Sequence, residues 1–398
     1  MTAFPFDVCI VGGLGHVGLP LGLSLADVGV RVVLYDVNVR AIAQVADGAM
    51  PFRENGAEPV LRRVLGKTLF TSGDRSVVAQ SRFVIVVIGT PVDEHLSPEL
   101  GLFRDVIAGL LDVIHGGQHV ILRSTVFPGT TEWTRDFLRE SGRAARVSFC
   151  PERISEGQAM AELRSLPQIV ASFDEPSRQE AAELFSRLTA EIVFLEPREA
   201  ELAKLFTNVW RYIQFATANQ FFQIATASGL DFYRIYRAIT HHYPRTEHFP
   251  RAGFAAGPCL FKDTMQLAAY ANNSFFLGHA AMLINEGLPS HIVQLLKQRV
   301  VLRDKVVGVL GMAFKADSDD KRQSLSYKLK RLLEAEARRV LCSDVYLDEP
   351  GFVPASDLVA QSEIIVVGAP HREYLTLEIP DGKVLVDVWN FLGQGSAI

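Results

Sequence analysis

Apolar and polar positions fall in blocks along this chain. Phe6-Asp7-Val8-Cys9-Ile10-Val11-Gly12 is a short apolar run of the kind that forms a strand buried on both faces. An amphipathic stretch to about Val28 follows, then a second run from Val30 to Tyr35 ending at Asp36. Comparable runs recur at 83–88, 120–123, 147–150, 168–173 and 191–195. About six strands interleaved with helices predict a doubly wound parallel sheet over residues 1–196. From Arg198 to Gln298 the period becomes helical, with one unbroken helix to about Ser228. Leu205, Phe206, Trp210, Ile213 and Phe215 make that helix read as buried on most sides. After Lys305 strand-like runs return at 306–311, 340–344, 364–369 and 384–388. The pattern predicts an α/β chain of three parts: 1–196, a helical 197–300 with a cysteine loop, and 301–398.

The first strand runs into Gly13-Leu14-Gly15-His16-Val17-Gly18, and Asp36 ends the next strand 23 residues after Gly13. A Gly-x-Gly-x-x-Gly alone is weak evidence, but between strand and helix, with a following acid, it is the dinucleotide fingerprint of a Rossmann-like domain. Its glycines permit the tight turn and the approach of a pyrophosphate to the helix N-terminus, and Asp36 suits ribose hydroxyls. A 2′-phosphate would face the charge of Asp36, which favours NAD over NADP. Gly89-Thr90-Pro91 and Ser124-Thr125-Val126 end further strands, where an open sheet binds its ligand, so Thr90, Ser124 and Thr125 are cofactor contacts or local turn caps. The third part repeats the strand, helix, strand-with-acid order without a glycine fingerprint. It carries Lys315 and Arg322 after its first strand, which suits a different, phosphate-bearing ligand.

Composition narrows the partners. The chain has 398 residues, 48 % hydrophobic and 21 % charged, with a formal net charge of -5. That balance is ordinary for a globular protein and argues against a nucleic-acid surface. No apolar run reaches membrane-spanning length, and no signal-peptide pattern opens the chain, so the expected setting is a reduced cytoplasm. Four cysteines without Cys-x-x-Cys suggest neither a zinc site nor a disulfide framework, and no metal site is expected. Cys9, Cys150 and Cys342 sit in apolar runs as inert core residues.

Cys259 differs: it lies between Gly253-Phe254-Ala255-Ala256-Gly257 and Lys262-Asp263. A cation beside a thiol favours the thiolate over its free pKa of about 8.5, and small residues let substrate approach. Lys204, Asn208 and Arg211, at i, i+4 and i+7, share one helix face and are candidates to line a cleft. A hydride acceptor facing a cysteine implies an aldehyde as substrate or intermediate. Lys204 and Asn208 would stabilise the oxyanion, and Asp263, Glu152 and Glu156 are available for proton transfer.

With these residues in place, the sequence resembles the nucleotide-sugar dehydrogenases that oxidise the C6 alcohol of a UDP-sugar to a uronic acid. The resemblance runs from residue 6 to about 392 through the fingerprint, Gly89-Thr90-Pro91, Ser124-Thr125-Val126 and Cys150-Pro151-Glu152-Arg153. It continues in Ala200-Glu201-Leu202-Ala203-Lys204 to Asn208, Cys259 with Lys262-Asp263, and Phe314-Lys315 with Asp320 and Arg322. It implies two hydride transfers to two NAD molecules and a thioester at Cys259, with Lys204 on the oxyanion and Asp263 and a Thr125-held water moving protons. It implies cofactor contacts from Gly13, Leu14, Gly15, His16, Val17, Gly18, Asp36, Arg40, Thr90, Ser124, Thr125, Glu156, Lys262 and Arg322. The UDP-sugar would meet Glu152, Arg153, Ile154, Lys204, Asn208, Arg211, Phe254, Gly257, Phe314 and Lys315, with Arg245 or Arg251 reaching a partner's site in a homodimer.

Pro258 departs from the family's glycine-rich approach to the cysteine and stiffens it. The Cys-Pro-Glu-Arg run and Arg211 resemble the branch acting on UDP-N-acetylhexosamines. The rivals are oxidation of UDP-glucose or a sugar on another nucleotide, a two-electron β-hydroxyacid dehydrogenase, and a non-catalytic nucleotide-sugar binder.

Overall fold

The computed structural model describes residues 4–395. The chain forms two compact units, divided between Thr207 and Asn208.

The first unit is built on eight strands: β1 (Phe6–Val11), β2 (Val32–Tyr35), β3 (Leu69–Ser72), β4 (Ser81–Val86), β5 (His119–Leu122), β6 (Arg146–Phe149), β7 (Gln168–Ser172) and β8 (Ile192–Leu195). Their order is β3-β2-β1-β4-β5-β6-β7-β8. Cys9 of β1 sits in register with Val33 on one side and Val84 on the other. Val8 and Ile10 join a core with Leu19, Leu23 and Leu34 on one face of the sheet. Cys9 and Val11 join Val86, Phe103 and Ile107 on the other face. Helices cover both faces, so the strand is apolar at successive positions. Pairing is parallel as far as β6; β7 then joins antiparallel, and β8 pairs parallel with β7. The pattern did not indicate β3, because only Leu69 of its four residues is buried.

The second unit holds a four-stranded parallel sheet: β9 (Val306–Leu310), β10 (Arg339–Ser343), β11 (Ile364–Val367) and β12 (Val384–Val386), ordered β10-β9-β11-β12. Phe222, Leu288, Ile292 and Leu296 from two long helices share a core with Val307, Val309, Leu325 and Leu329. The two sheets repeat one device. Gly12 follows β1 with φ +75°, and Gly311 follows β9 with φ +89°. A Cβ at Gly12 would overlap the Val87 carbonyl, and one at Gly311 the Ala369 carbonyl. Each tight turn therefore requires glycine.

The long helix spans Pro197–Ala227. It is less enclosed than its composition suggested: Phe206 is 54 % and Trp210 60 % exposed, with Phe221 and Ile224 further along. Composition gives the number of apolar residues on a helix but not which of them this chain covers.

Candidate active site

In the first unit the three fingerprint glycines have separable jobs. A Cβ at Gly13 would come within 2.7 Å of the Ile10 carbonyl oxygen, and one at Gly18 within 2.7 Å of that of Gly12, so turn geometry requires both glycines. At Gly15 the nearest atom would be 3.9 Å away, and this residue is exposed. The helix Gly18–Asp27 opens with no side-chain cap and no acid in its first turn. Leu19 and Leu21 donate to the Gly15 and Val17 carbonyls and Pro20 has no N–H, so an anion would meet the positive end of the helix dipole and the loop amides that precede it. Asp36 takes the Leu14 N–H at 3.0 Å and the Asn38 N–H at 3.0 Å, holding the loop, and stays half-exposed. Arg40 is exposed nearby in sequence.

Hydroxyls at the ends of β4 and β5 lock those ends together. Ser124 Oγ accepts from the Ile88 N–H at 2.8 Å, and Thr90 Oγ1 donates to the Thr125 carbonyl at 2.6 Å. Thr125 itself is half-buried.

The loop after β6 is held on several sides. Glu152, 7 % exposed, receives Nε and Nη2 of the fully buried Arg123 on one oxygen. Its other oxygen accepts from the Arg153 and Ile154 N–H groups at 2.7 and 3.1 Å. Arg153 donates to the Pro167 carbonyl. Glu54 accepts from the Gly157 and Ala159 N–H groups at 2.8 Å each. Glu152 is therefore committed to loop structure, whereas Glu156 is half-exposed with Oε2 3.9 Å from His16 Nδ1. His16 also lies against Phe52, with ring centroids 4.0 Å apart and the rings tilted by 30°. Arg123 and Glu54 were not singled out by sequence. An arginine closing an otherwise apolar strand was the available signal for the first; nothing local marked the second.

In the second unit Cys259 is the N-cap of the helix Leu260–Tyr270 and is exposed. The other three cysteines are buried, and burial pushes the thiols of Cys9 and Cys150 up to about 12 and that of Cys342 up to about 11. Of the four cysteines Cys259 is the exposed residue, at a helix N-terminus where negative charge is favoured. One turn on, Asp263 is fully buried. Lys262 Nζ lies 2.5 Å from its Oδ1 and Asn208 Nδ2 2.6 Å from its Oδ2. Of the polar stripe on the long helix, Lys204 and Asn208 are buried, at 8 % and 4 %, while Arg211 is exposed.

The backbone leading to the cysteine is fixed. Asn219 receives the Gly253 N–H at 2.8 Å and donates to the Gly253 carbonyl at 3.0 Å and to Asn285 Oδ1 at 2.9 Å. Gly257, with φ +98°, donates to the Gln323 carbonyl at 3.3 Å, and a Cβ there would come within 2.6 Å of the Phe314 ring. Phe254 is buried beside Trp389; Arg251 and Arg245 are exposed, the latter against Tyr243. Lys315 and Phe314 are half-buried, and Asp320 grips the Arg322 guanidinium at 2.6–3.0 Å.

Family models cover most of the chain: the NAD binding domain of the UDP-glucose/GDP-mannose dehydrogenase family over residues 6–189, its central domain over 198–286 and its UDP binding domain over 308–394. The chain belongs to that family. This dehydrogenase is an NAD-dependent oxidoreductase, and the open face at Gly15, the uncapped helix start and Asp36 fit that cofactor. The chain is 29 % identical to the UDP-N-acetyl-D-mannosamine dehydrogenase of Pyrococcus horikoshii over 376 residues, 91 % of this chain and 89 % of that one. Its fold matches the solved UDP-D-ManNAc dehydrogenase from the same organism with a TM-score of 0.89 at 26 % identity, covering 97 % and 96 % of the two chains. It matches a UDP-glucose dehydrogenase from Pyrobaculum islandicum with a TM-score of 0.86 at 28 % identity, covering 98 % and 95 %. Among the described residues no helix is long and apolar enough to cross a membrane.

Proposed function

We propose that this dehydrogenase converts the C6 alcohol of a UDP-sugar, a UDP-N-acetylhexosamine in preference, to the uronic acid through a thioester on Cys259. The supporting observation is the contrast among the cysteines: one exposed thiol at a helix N-terminus, one turn before a buried aspartate, and three thiols shut in cores. Bound NAD supplies a hydride acceptor. The alcohol loses a hydride and a proton to give the aldehyde, and the Cys259 thiolate adds to its carbonyl carbon. The thiohemiacetal then loses its hydroxyl proton and a second hydride, for which a second NAD exchanged for the reduced first would be the acceptor, to become the thioester. Water then attacks, releasing the carboxylic acid and the thiol.

Lys204 and Asn208 are proposed for the oxyanion, Asp263 for proton transfer and Thr125 for holding a water. Glu156 fits the hydrolytic step better than Glu152, which Arg123 occupies. Arg211, Phe254, Gly257, Phe314 and Lys315 meet the substrate, and Lys262 and Arg322 reach the cofactor. Arg211 suits an acetamido carbonyl. UDP-glucose is the second reading, favoured by the likeness to the Pyrobaculum enzyme. A homodimer would cover the exposed Phe206, Trp210, Phe221 and Ile224, with Arg245 or Arg251 reaching the partner's site. The change from sheet to helix and back supports three domains, 1–196, 197–300 and 301–398, and four cysteines of which three are shut in cores suit a reducing cytoplasm.

Incubation with NAD and a panel of UDP-sugars, read by NADH absorbance and product mass, tests this. The expected result is two NADH per uronic acid with an acetamido sugar, and Cys259→Ser inactive or stopped early. One NADH per turnover, with activity surviving in Cys259→Ala, would reject the thioester route.

A further inference from the structure

The strand-end acids of the two sheets are used differently. Asp36, after β2, is half-exposed and holds its glycine loop through the Leu14 N–H. Its counterpart after β10, Asp344, has a fully buried side chain. Asp344 Oδ2 accepts from the Met312 and Ala313 N–H groups at 2.6 and 2.9 Å, and Oδ1 from those of Tyr346 and Leu347 at 2.8 and 3.1 Å. His371, also fully buried, places Nε2 3.1 Å from the same Oδ2. Its other nitrogen, Nδ1, accepts the Asp317 N–H at 2.9 Å. Since Nδ1 must present a lone pair, the ring's proton is on Nε2 and donates to Asp344. The rings of Tyr346 and Tyr374 flank the imidazole edge-on at 5.0 and 5.5 Å.

Asp344 thus holds the start of the segment 312–317, and His371 carries that hold to its far end, where Asp317 has φ +56°. Between the two ends lie Phe314 and Lys315. Within the segment the Phe314 N–H donates to the Asp320 carbonyl at 2.9 Å, and at the two ends side chains fix the amides.

We infer that His371 and Asp344 are positioning residues for the nucleotide end of the substrate: they replace the ribose-binding use of a strand-end acid by a strut under the Phe314-Lys315 segment. The inference rests on the reading that this segment meets UDP. A purely structural histidine would lower stability without singling out one ligand, whereas a strut under one loop affects UDP alone.

The test titrates UDP, and separately NAD, into the full chain by calorimetry for the wild type, His371→Leu and His371→Gln. Leucine removes both bonds; glutamine can donate to Asp344 and accept from Asp317. His371→Leu is expected to weaken UDP about 10- to 100-fold, as for a lost buried hydrogen-bond pair, with His371→Gln within about threefold of wild type. NAD affinity should stay unchanged, and the KM for the UDP-sugar should rise with kcat held within about threefold. If His371→Leu does not fold, His371→Asn, too short to span both partners, takes its place. Equal UDP affinity in wild type and variant, equal losses of UDP and NAD, or glutamine performing no better than leucine would overturn the inference. A wild type that binds UDP yet forms no NADH with any UDP-sugar removes the dehydrogenase mechanism and leaves the strut standing; a wild type without UDP affinity removes the strut.

Discussion

Asn219→Ala tests whether the approach to Cys259 is fixed by a buried amide. The side chain is fully buried and makes three hydrogen bonds, at 2.8, 3.0 and 2.9 Å, to the two backbone groups of Gly253 and to Asn285. Gly253 cannot move aside, because a Cβ there would already overlap the Trp389 ring. Truncation leaves three buried polar groups without that partner, at about 1–3 kcal/mol each. Water entering the vacated space restores part of this, so the net loss should be about 3–5 kcal/mol, a large share of the roughly 5–15 kcal/mol of a typical domain. Asn219→Asp should do no better, since it turns an oxygen toward the Gly253 carbonyl and Asn285 Oδ1. The assay is a urea transition followed by tryptophan fluorescence, paired with the rate of Cys259 alkylation by iodoacetamide. A stability change below about 1 kcal/mol, with unaltered alkylation, would refute the argument.

Glu180 should make the first unit acid-sensitive. Burial pushes its carboxyl up, but hydrogen bonds from His119, Arg82 and Arg146 outweigh that and hold it at about 2. A depressed acid stabilises above its unfolded value, near 4.5, and loses that contribution as pH falls toward 2, so urea midpoints should drop over that window and flatten in Glu180→Gln. Gly257→Ala meets both the positive φ and the Phe314 ring; it should cost about 1–3 kcal/mol and raise the KM for the UDP-sugar, measured by steady-state kinetics. Trp210→Glu, on the exposed apolar stripe, should turn the proposed homodimer into monomers in light scattering; an unchanged mass would show that this face is not an interface.

Much of the fold was legible because strands buried on both faces must be apolar at successive positions, as in β1 and β11. β3 escaped for the opposite reason, since an edge strand with one buried side chain carries no apolar run. The reversal of β7 also escaped, because a buried strand reads alike in either direction.

Local spacing brought out the fingerprint glycines, whose turn sets their need within a few residues, while Asp36 and Cys259 stood out by their place after the second strand and after the helical stretch. It could not separate Glu152 from Glu156, because the buried Arg123 that claims Glu152 lies 29 residues upstream, just past the end of a neighbouring strand. Nor could it find Asn219, Glu54 or His371, whose partners are 34, 103 and 54 residues away. The sequence by itself determined the strand and helix periods, the nucleotide loop and the candidate thiol, because those follow from short-range sterics and patterning. Only the tertiary structure decided which carboxylates are spent on holding loops, which cysteine meets solvent and which amides fix the thiol's approach. Those outcomes depend on burial and on hydrogen-bond partners that distant segments supply.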